Sequence, residues 1–330
     1  MIGAWYAHCL LCPRRCGVNR LDDRGIEDRD KKTVNLTGNR VNDSGPRLLG
    51  FCGESAGLRL ASASIHRGEE PPVTGSGGSG TIFVSGCNLG CVFCQNYQIS
   101  QGGAGRPVSS AEFAEICLAL QNRGAGNINL VTGSHAVPAI AEGLDAARAA
   151  GLRIPALWNS SSYESAEALE LLRDRIDMYL PDLKTLDRDL AGRFFRAPGY
   201  PEAASAAILK MMEYRPGQVI IRHLLLPGFL ESTREVLRWF AENSRGRALF
   251  SLMTQYTPVR ALNGGPELPA RFVSGEEYET VIGWFEEFGI EDGFCQELVT
   301  DSAWLPDFSR VNPFSSELST PVWHWSGGFV

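Results

Sequence analysis

The sequence predicts an α/β protein, a partial (β/α)6 barrel preceded by a small cysteine-rich segment. Three observations predict it. From about residue 80, short apolar runs alternate with longer stretches of helical period. The alternation repeats six times, which implies parallel strands joined by right-handed crossovers. The first 70 residues lack it. They open with Cys9, Cys12 and Cys16 and continue into a polar run, Asp22 to Pro46, that reads as an exposed or partly disordered loop.

Each element has a local reason. Thr81–Ser85 follows a Gly/Ser-rich turn and is apolar enough for a buried strand. Ser109 or Ser110 can cap a helix that places Phe113, Ile116, Cys117 and Leu120 on one face. Further strands are expected over 127–131, 154–158, 176–180, 219–226 and 248–253. The helices between and after them are expected over 136–150, 165–173, 232–243 and 275–288. Gly151 closes the first of these, and Pro227-Gly228 stops the fifth strand. A closed eight-stranded barrel needs two more units, and the sequence offers none, so the barrel is read as open. In such folds function collects at the C-terminal ends of the strands. The chain divides accordingly into a metal-binding segment over 1–70, a core over 71–300 and an aromatic tail over 301–330. The tail carries Trp304, Trp323, Trp325 and Phe329. It either covers the open side of the barrel or packs on the outer surface.

Composition narrows the function. The 330 residues are 44% hydrophobic and carry a net charge of −7, with dispersed Lys and Arg. That is no footprint for nucleic acid. No run approaches the ~20 apolar residues of a membrane span, and Met1–Leu10 does not read as a secretory signal. The expectation is a cytoplasmic protein. In that compartment clustered cysteines bind metal or do chemistry more often than they pair. Seven of the nine cysteines fall within the first 94 residues. Cys117 and Cys295 stand alone and are expected to be small buried hydrophobes.

The sharpest feature is Gly86-Cys87-Asn-Leu-Gly-Cys91-Val-Phe-Cys94, directly after the first strand. Three thiolates in one loop suit a soft metal centre, zinc or iron–sulfur. Four cysteines usually complete a structural zinc site or an electron-transfer cluster. Three leave one iron of a [4Fe-4S] cluster open. The competing reading is zinc completed by a distant ligand. Gly86 and Gly90 let the loop wrap a bulky group. Phe93 can set an aromatic face near a bound base.

The triplet resembles the signature of radical S-adenosylmethionine enzymes. The residues around it resemble those of the activating enzymes of glycyl-radical enzymes, similar to pyruvate formate-lyase activating enzyme. The likeness runs along the chain through Cys-x2-Cys-Pro-Arg-x-Cys-Gly-Val-Asn-Arg (Cys9 to Arg20) and Ser-Gly-Cys-Asn-Leu-x-Cys-x-Phe-Cys-Gln-Asn-Tyr (Ser85 to Tyr97). It continues through Tyr-Leu-Pro-Asp-Leu-Lys (Tyr179 to Lys184), Ile-Arg-His-Leu-Leu-Leu-Pro-Gly (Ile221 to Gly228) and Gln-Tyr-Thr-Pro (Gln255 to Pro258).

The resemblance implies that S-adenosylmethionine chelates the open iron through its amino and carboxylate groups. It also implies a Gly-Gly-Glu motif after the second strand. Here the chain departs, with Val131-Thr132-Gly133-Ser134-His135. Thr132 and Ser134 hydroxyls can still accept from the amine. His135 is either a ligand or proton donor, or an ordinary hydrogen-bonded histidine. By resemblance, the region of Asn159, Ser160 and Ser161 contacts the cofactor. Asp182 and Lys184 share a face if the fourth strand continues, and can take ribose or a cation and carboxylate respectively. A surface salt bridge is the alternative. Arg222, inside an apolar strand, needs a partner, and the resemblance implies the cofactor carboxylate. Gln255 and Tyr256 end the sixth strand on the adenine or substrate side.

Cys9, Cys12, Cys16 and Cys52 form a second candidate metal site. Zinc and an auxiliary iron–sulfur cluster both fit the spacing, and no metal at all is the third reading. The activity implied is reductive cleavage of S-adenosylmethionine to a 5′-deoxyadenosyl radical that abstracts hydrogen. The electron donor would be flavodoxin or ferredoxin. The hydrogen donor would be a glycine of a partner enzyme, another peptide or a small molecule. A non-catalytic cysteine-rich metal-binding protein is the remaining alternative.

Overall fold

The computed structural model of the chain describes residues 3–21, 49–259 and 268–330. The polar run expected between Asp22 and Pro46 lies outside the described residues.

Parallel strands organise the molecule. They are β2 (Ser79–Val84), β4 (Asn127–Val131), β5 (Ala156–Ser160), β6 (Met178–Pro181), β7 (Ile220–Leu224), β8 (Leu249–Met253) and β9 (Gly293–Cys295). β2, β4, β5 and β6 pair in that order in register. Isolated bridges at Tyr179–Val219 and Asp182–Arg222 pass the arc on to β7, β8 and β9. The result is an open partial barrel. It has one more parallel strand than the six predicted. β9 is three residues long and largely exposed, so it carries too little apolar signal to be read from sequence.

Antiparallel strands close the other edge. β1 (Leu58–His66) is buried along its whole length and pairs with β2, with β3 (Arg106–Val108) and with β10 (Ser319–His324). β11 (Gly328–Phe329) pairs with β10. The sheet therefore runs without a break across the divisions read at residues 70 and 300.

Helices cover the outer face. α1 (Gly3–Tyr6), α2 (Pro71–Thr74) and α3 (Tyr97–Ser100) are single turns. α4 (Ser110–Asn122) starts where Ser109 Oγ accepts from the Glu112 amide at 3.1 Å. α5 (Val137–Ala149) and α6 (Ala166–Leu172) follow β4 and β5, the latter capped by Ser165. The β6–β7 crossover holds two helices, α7 (Arg188–Phe195) and α8 (Tyr200–Tyr214). α9 (Leu230–Asn243) follows β7, and α10 (Gly275–Phe288) opens with a capping box between Ser274 and Glu277.

Strand alternation makes two cores. Ile82, Ile128, Leu130 and Trp158 meet Phe113, Ile116, Val137 and Ile140 of the helices. On the other face Leu157, Leu180 and Ile220 form a smaller cluster with Val73. The aromatic tail reaches a third cluster, in which Phe308 and Phe314 pack on Phe83 at ring separations of 5.2 and 5.6 Å. Gln98, just past the cysteine loop, holds it by accepting from the Phe308 amide at 2.7 Å. No helix among the described residues is long and apolar enough to cross a membrane.

Candidate functional site

The C-terminal ends of β2, β4, β5 and β6 meet over one small region, and most of the predicted site residues lie there. The loop after β2 is tightly placed. Gly86 has φ 84°, and a Cβ there would lie 2.4 Å from Glu54 Cγ and 3.0 Å from His135 Nε2. Only glycine fits. Further along, the amides of Gly90 and Val92 donate to the Phe195 and Phe194 carbonyls at 3.1 and 2.9 Å. The loop thus hangs from the C-terminal end of α7.

The three thiols of this loop act on one another. Burial pushes Cys87 up to about 12, against opposing help from the Leu89 amide. Burial likewise raises Cys91 and Cys94. Neighbouring thiolates add to the rise at Cys87 and Cys91, while the Lys184 ammonium opposes it at all three. Such a set gains most when a cationic centre takes the thiolates. Among the described residues, no three His, Cys, Asp or Glu side chains converge as they would on a single ion. A multi-iron cluster gives each thiolate its own iron and tolerates a wider set. The soft donors, their burial and the facing ammonium fit a [4Fe-4S] cluster.

Phe93 is spent elsewhere. Its ring is buried edge-on against Phe194, Phe195 and Tyr256. Packing, not an open face toward a base, accounts for it. Tyr256 is equally taken up, donating its hydroxyl to the Pro269 carbonyl at 2.9 Å. Gln255 is tied to both flanks, its carbonyl accepting from Gln95 and its Oε1 accepting from Gln296.

The β4 and β5 ends carry strain. Thr132 has φ 65° and Ser162 has φ 62°, a costly region for side chains other than glycine and most so for a β-branched one. Thr132 stays partly exposed, and its amide donates to the Asn159 carbonyl at 3.0 Å. Ser134 is buried, and its hydroxyl goes to Glu164 Oε1 at 2.7 Å, so it is not free for an amine. The Trp158 indole donates to the same oxygen at 2.8 Å. Burial raises the Glu164 pKa. Sequence reasoning missed this carboxylate. Its signal was a lone glutamate in Ser-Ser-Tyr-Glu-Ser, just before the α6 cap. Ser160 is buried and accepts from the Ser162 amide at 3.2 Å, and Asn159 remains half-buried. His135 is buried, with Nε2 at 2.8 Å from the Ser85 carbonyl, as an ordinary bonded histidine.

Asp182 and Lys184 pair at 2.5 Å. Tyr200, also missed, fixes them: its hydroxyl donates to the Asp182 carbonyl at 2.8 Å and accepts from the Lys184 amide at 3.0 Å. Arg222 lies level with Asp182 but does not present an open fork. Its Nε donates to Glu70 at 2.9 Å and its Nη2 to Glu69 at 2.7 Å and again to Glu70. The partner expected from a cofactor is supplied by two protein carboxylates in the segment after β1.

Cys9, Cys12, Cys16 and Cys52 come together as the walls of one small cavity, which Asn88 and His135 also line. Three of these thiols accept polar hydrogens: Cys9 from Arg20, Cys16 from the Phe51 amide and Cys12 from Asn88. Of the lone cysteines, Cys117 is buried as expected, whereas Cys295 is exposed, on the edge strand β9.

Comparison with known proteins agrees with the loop. Residues 81–240 match the model of the radical SAM superfamily. The chain is 27% identical over 293 residues to "Uncharacterized protein MJ0674" of Methanocaldococcus jannaschii, covering 87% of this chain and 76% of that one. Among solved structures it is similar to Streptococcus suis SuiB, at 15% identity and TM-score 0.48 over 64% of this chain. That match spans 47%, about half, of SuiB. It is similar also to a domain of pyruvate-formate lyase-activating enzyme from Bacteroides vulgatus, at 17% identity and TM-score 0.37, over 48% of this chain and 91% of that one.

Proposed function

We propose, for a chain whose residues 81–240 belong to the radical SAM superfamily, that it reductively cleaves S-adenosylmethionine and uses the radical to take hydrogen from a substrate. The observation that carries this reading is the loop after β2, with three half-buried thiols facing Lys184 at the head of the barrel. When bound at Cys87, Cys91 and Cys94, a [4Fe-4S] cluster and S-adenosylmethionine would supply the electron transfer and the 5′-deoxyadenosyl radical.

The chain's own residues do the rest. Lys184 lowers the cost of gathering negative charge in a buried place, and Asp182 keeps that ammonium aimed. The half-buried Asn159 and Thr132 offer polar contacts at adjacent strand ends. The tail, through Phe308 and Phe314, covers part of the sheet and helps exclude water. The reductant would be a flavodoxin or ferredoxin.

For the hydrogen donor, the resemblance to activating enzymes favours a glycine in a partner enzyme. The departure at Thr132–Ser134 and the N-terminal cysteines favour another peptide or small molecule. Anaerobic reconstitution with dithionite and S-adenosylmethionine separates the possibilities. Formation of 5′-deoxyadenosine supports cleavage. A glycyl doublet in the EPR spectrum of a candidate partner supports activation. Cleavage without that doublet excludes the tested partner, and no cleavage excludes the whole reading.

A further inference from the structure

The N-terminal cysteines are wired to the strand-end loops by two arginines of their own motif. Arg14 lies between Cys12 and Cys16. Its Nε donates to the Asn88 carbonyl at 2.9 Å, inside the cluster loop between Cys87 and Cys91. Its other nitrogens donate to the carbonyls of Arg196 at 2.5 Å and Phe195 at 3.4 Å. Phe195 is the residue that also receives the Gly90 amide. One cation therefore joins the cluster loop to the negative end of α7, where it is favoured. Arg20, after Cys16, is almost fully buried. It donates to the His135 carbonyl at 2.7 Å, in the loop after β4, and to the Glu54 and Ser55 carbonyls beside Cys52.

The thiols hold these arginines in turn. Phe51, next to Cys52, stacks on the Arg14 guanidinium at 3.6 Å, and its amide donates to Cys16 Sγ. Arg20 donates to Cys9 Sγ and lies over the Tyr6 ring at 4.4 Å. Gathering Cys9, Cys12, Cys16 and Cys52 on a metal fixes Phe51 against Arg14 and Arg14 against Asn88. The cavity they line is walled by one residue from each strand-end loop, Asn88 and His135.

We propose that the N-terminal cysteine module is a clamp that sets the shape of the two strand-end loops, with Arg14 and Arg20 as its positioning residues. The claim rests on Cys87, Cys91 and Cys94 holding the radical cluster. It assigns the second site a role in tuning that cluster, whichever metal it takes. A lysine at position 14 keeps the charge but, as a single ammonium, cannot bridge the Asn88, Phe195 and Arg196 carbonyls as the planar guanidinium does.

The test uses the reconstituted full-length chain carrying Arg14→Met, Arg14→Lys, Cys12→Ser or, as a charge-matched control in the same motif, Arg15→Met. Arg15 has no hydrogen bond to either loop among the described residues. The readouts are metal and sulfide per chain, circular dichroism, and the EPR spectrum of the reduced cluster with and without S-adenosylmethionine. Arg14→Met is expected to keep its fold while shifting the cluster g-values and weakening S-adenosylmethionine binding about tenfold. Arg14→Lys falls between Arg14→Met and wild type, and Arg15→Met matches wild type. Cys12→Ser is expected to lose the N-terminal metal, keep the other cluster and show the same spectral shift. If Arg14→Met does not fold, Arg14→Lys and Cys12→Ser decide by the same spectra. Unchanged spectra in these variants overturn the clamp. A wild-type chain that forms no S-adenosylmethionine-responsive cluster overturns the functional reading instead.

Discussion

Lys184 Nζ lies 2.5 Å from Asp182 Oδ2, two residues back on the segment leaving β6, and the pair faces the thiols of Cys87, Cys91 and Cys94. Burial alone would discharge the lysine, but Asp182 and then Cys91 outweigh it and raise the pKa. Lys184 is therefore a fixed positive charge beside the cysteine loop.

That arrangement predicts opposite effects from the two partners. Lys184→Met should move the midpoint potential of the cluster down, because an electron then arrives without a nearby cation. Asp182→Asn should move it up. Redox titration followed by EPR checks both, and a shift of the same sign in both variants would indicate general disruption instead.

Arg222 is predicted to be a stability residue. Arg222→Met leaves Glu69 and Glu70 buried without their cation, which should cost about 3–5 kcal/mol in unfolding free energy. Denaturant melts of the folded chain measure it. Arg222→Lys should recover part of the loss.

The strained backbone makes a contrary prediction. Thr132→Gly relieves φ 65°, so stability should rise by about 1 kcal/mol. Cleavage of S-adenosylmethionine should fall, since the half-buried hydroxyl at that strand end is gone. Stability lost on this substitution would contradict the strain argument.

His223 supplies a pH dependence. It is buried, with Nδ1 at the Leu183 carbonyl and Nε2 at Thr233 Oγ1, and burial lowers its pKa to about 4. The unfolded chain takes up the proton near pH 6.5 and the folded chain does not until about 4. Stability should fall through that window as pH drops, by on the order of 3 kcal/mol. Unfolding midpoints at a series of pH values test this. His223→Gln should flatten the acid limb.

The parallel strands were legible because buried β-α units leave continuous apolar runs, as in Thr81–Ser85 and Asn127–Val131. β1, although fully buried, was not. Its Ser62, Ser64 and His66 break the apolar pattern, and it follows a polar run. The crossover helices α7 and α8 were also missed; in α7 a cluster of Arg and Asp hides the apolar face of Leu190, Phe194 and Phe195. At the candidate site, the grouping of Cys87, Cys91 and Cys94 in one loop after β2 was legible from spacing alone. The partners of Arg222 and Ser134 were not, since Glu69, Glu70 and Glu164 are distant in sequence and meet them only through the fold.

Cleavage of S-adenosylmethionine at the Cys87–Cys94 loop is tested most directly by the EPR spectrum of the anaerobically reconstituted, reduced chain before and after S-adenosylmethionine, with 5′-deoxyadenosine quantified in the same samples. The expected result is a [4Fe-4S] signal that S-adenosylmethionine perturbs, with 5′-deoxyadenosine formed. Both responses should be lost in Cys91→Ala. A cluster signal indifferent to S-adenosylmethionine, or 5′-deoxyadenosine formed equally by Cys91→Ala, would contradict cleavage at this loop.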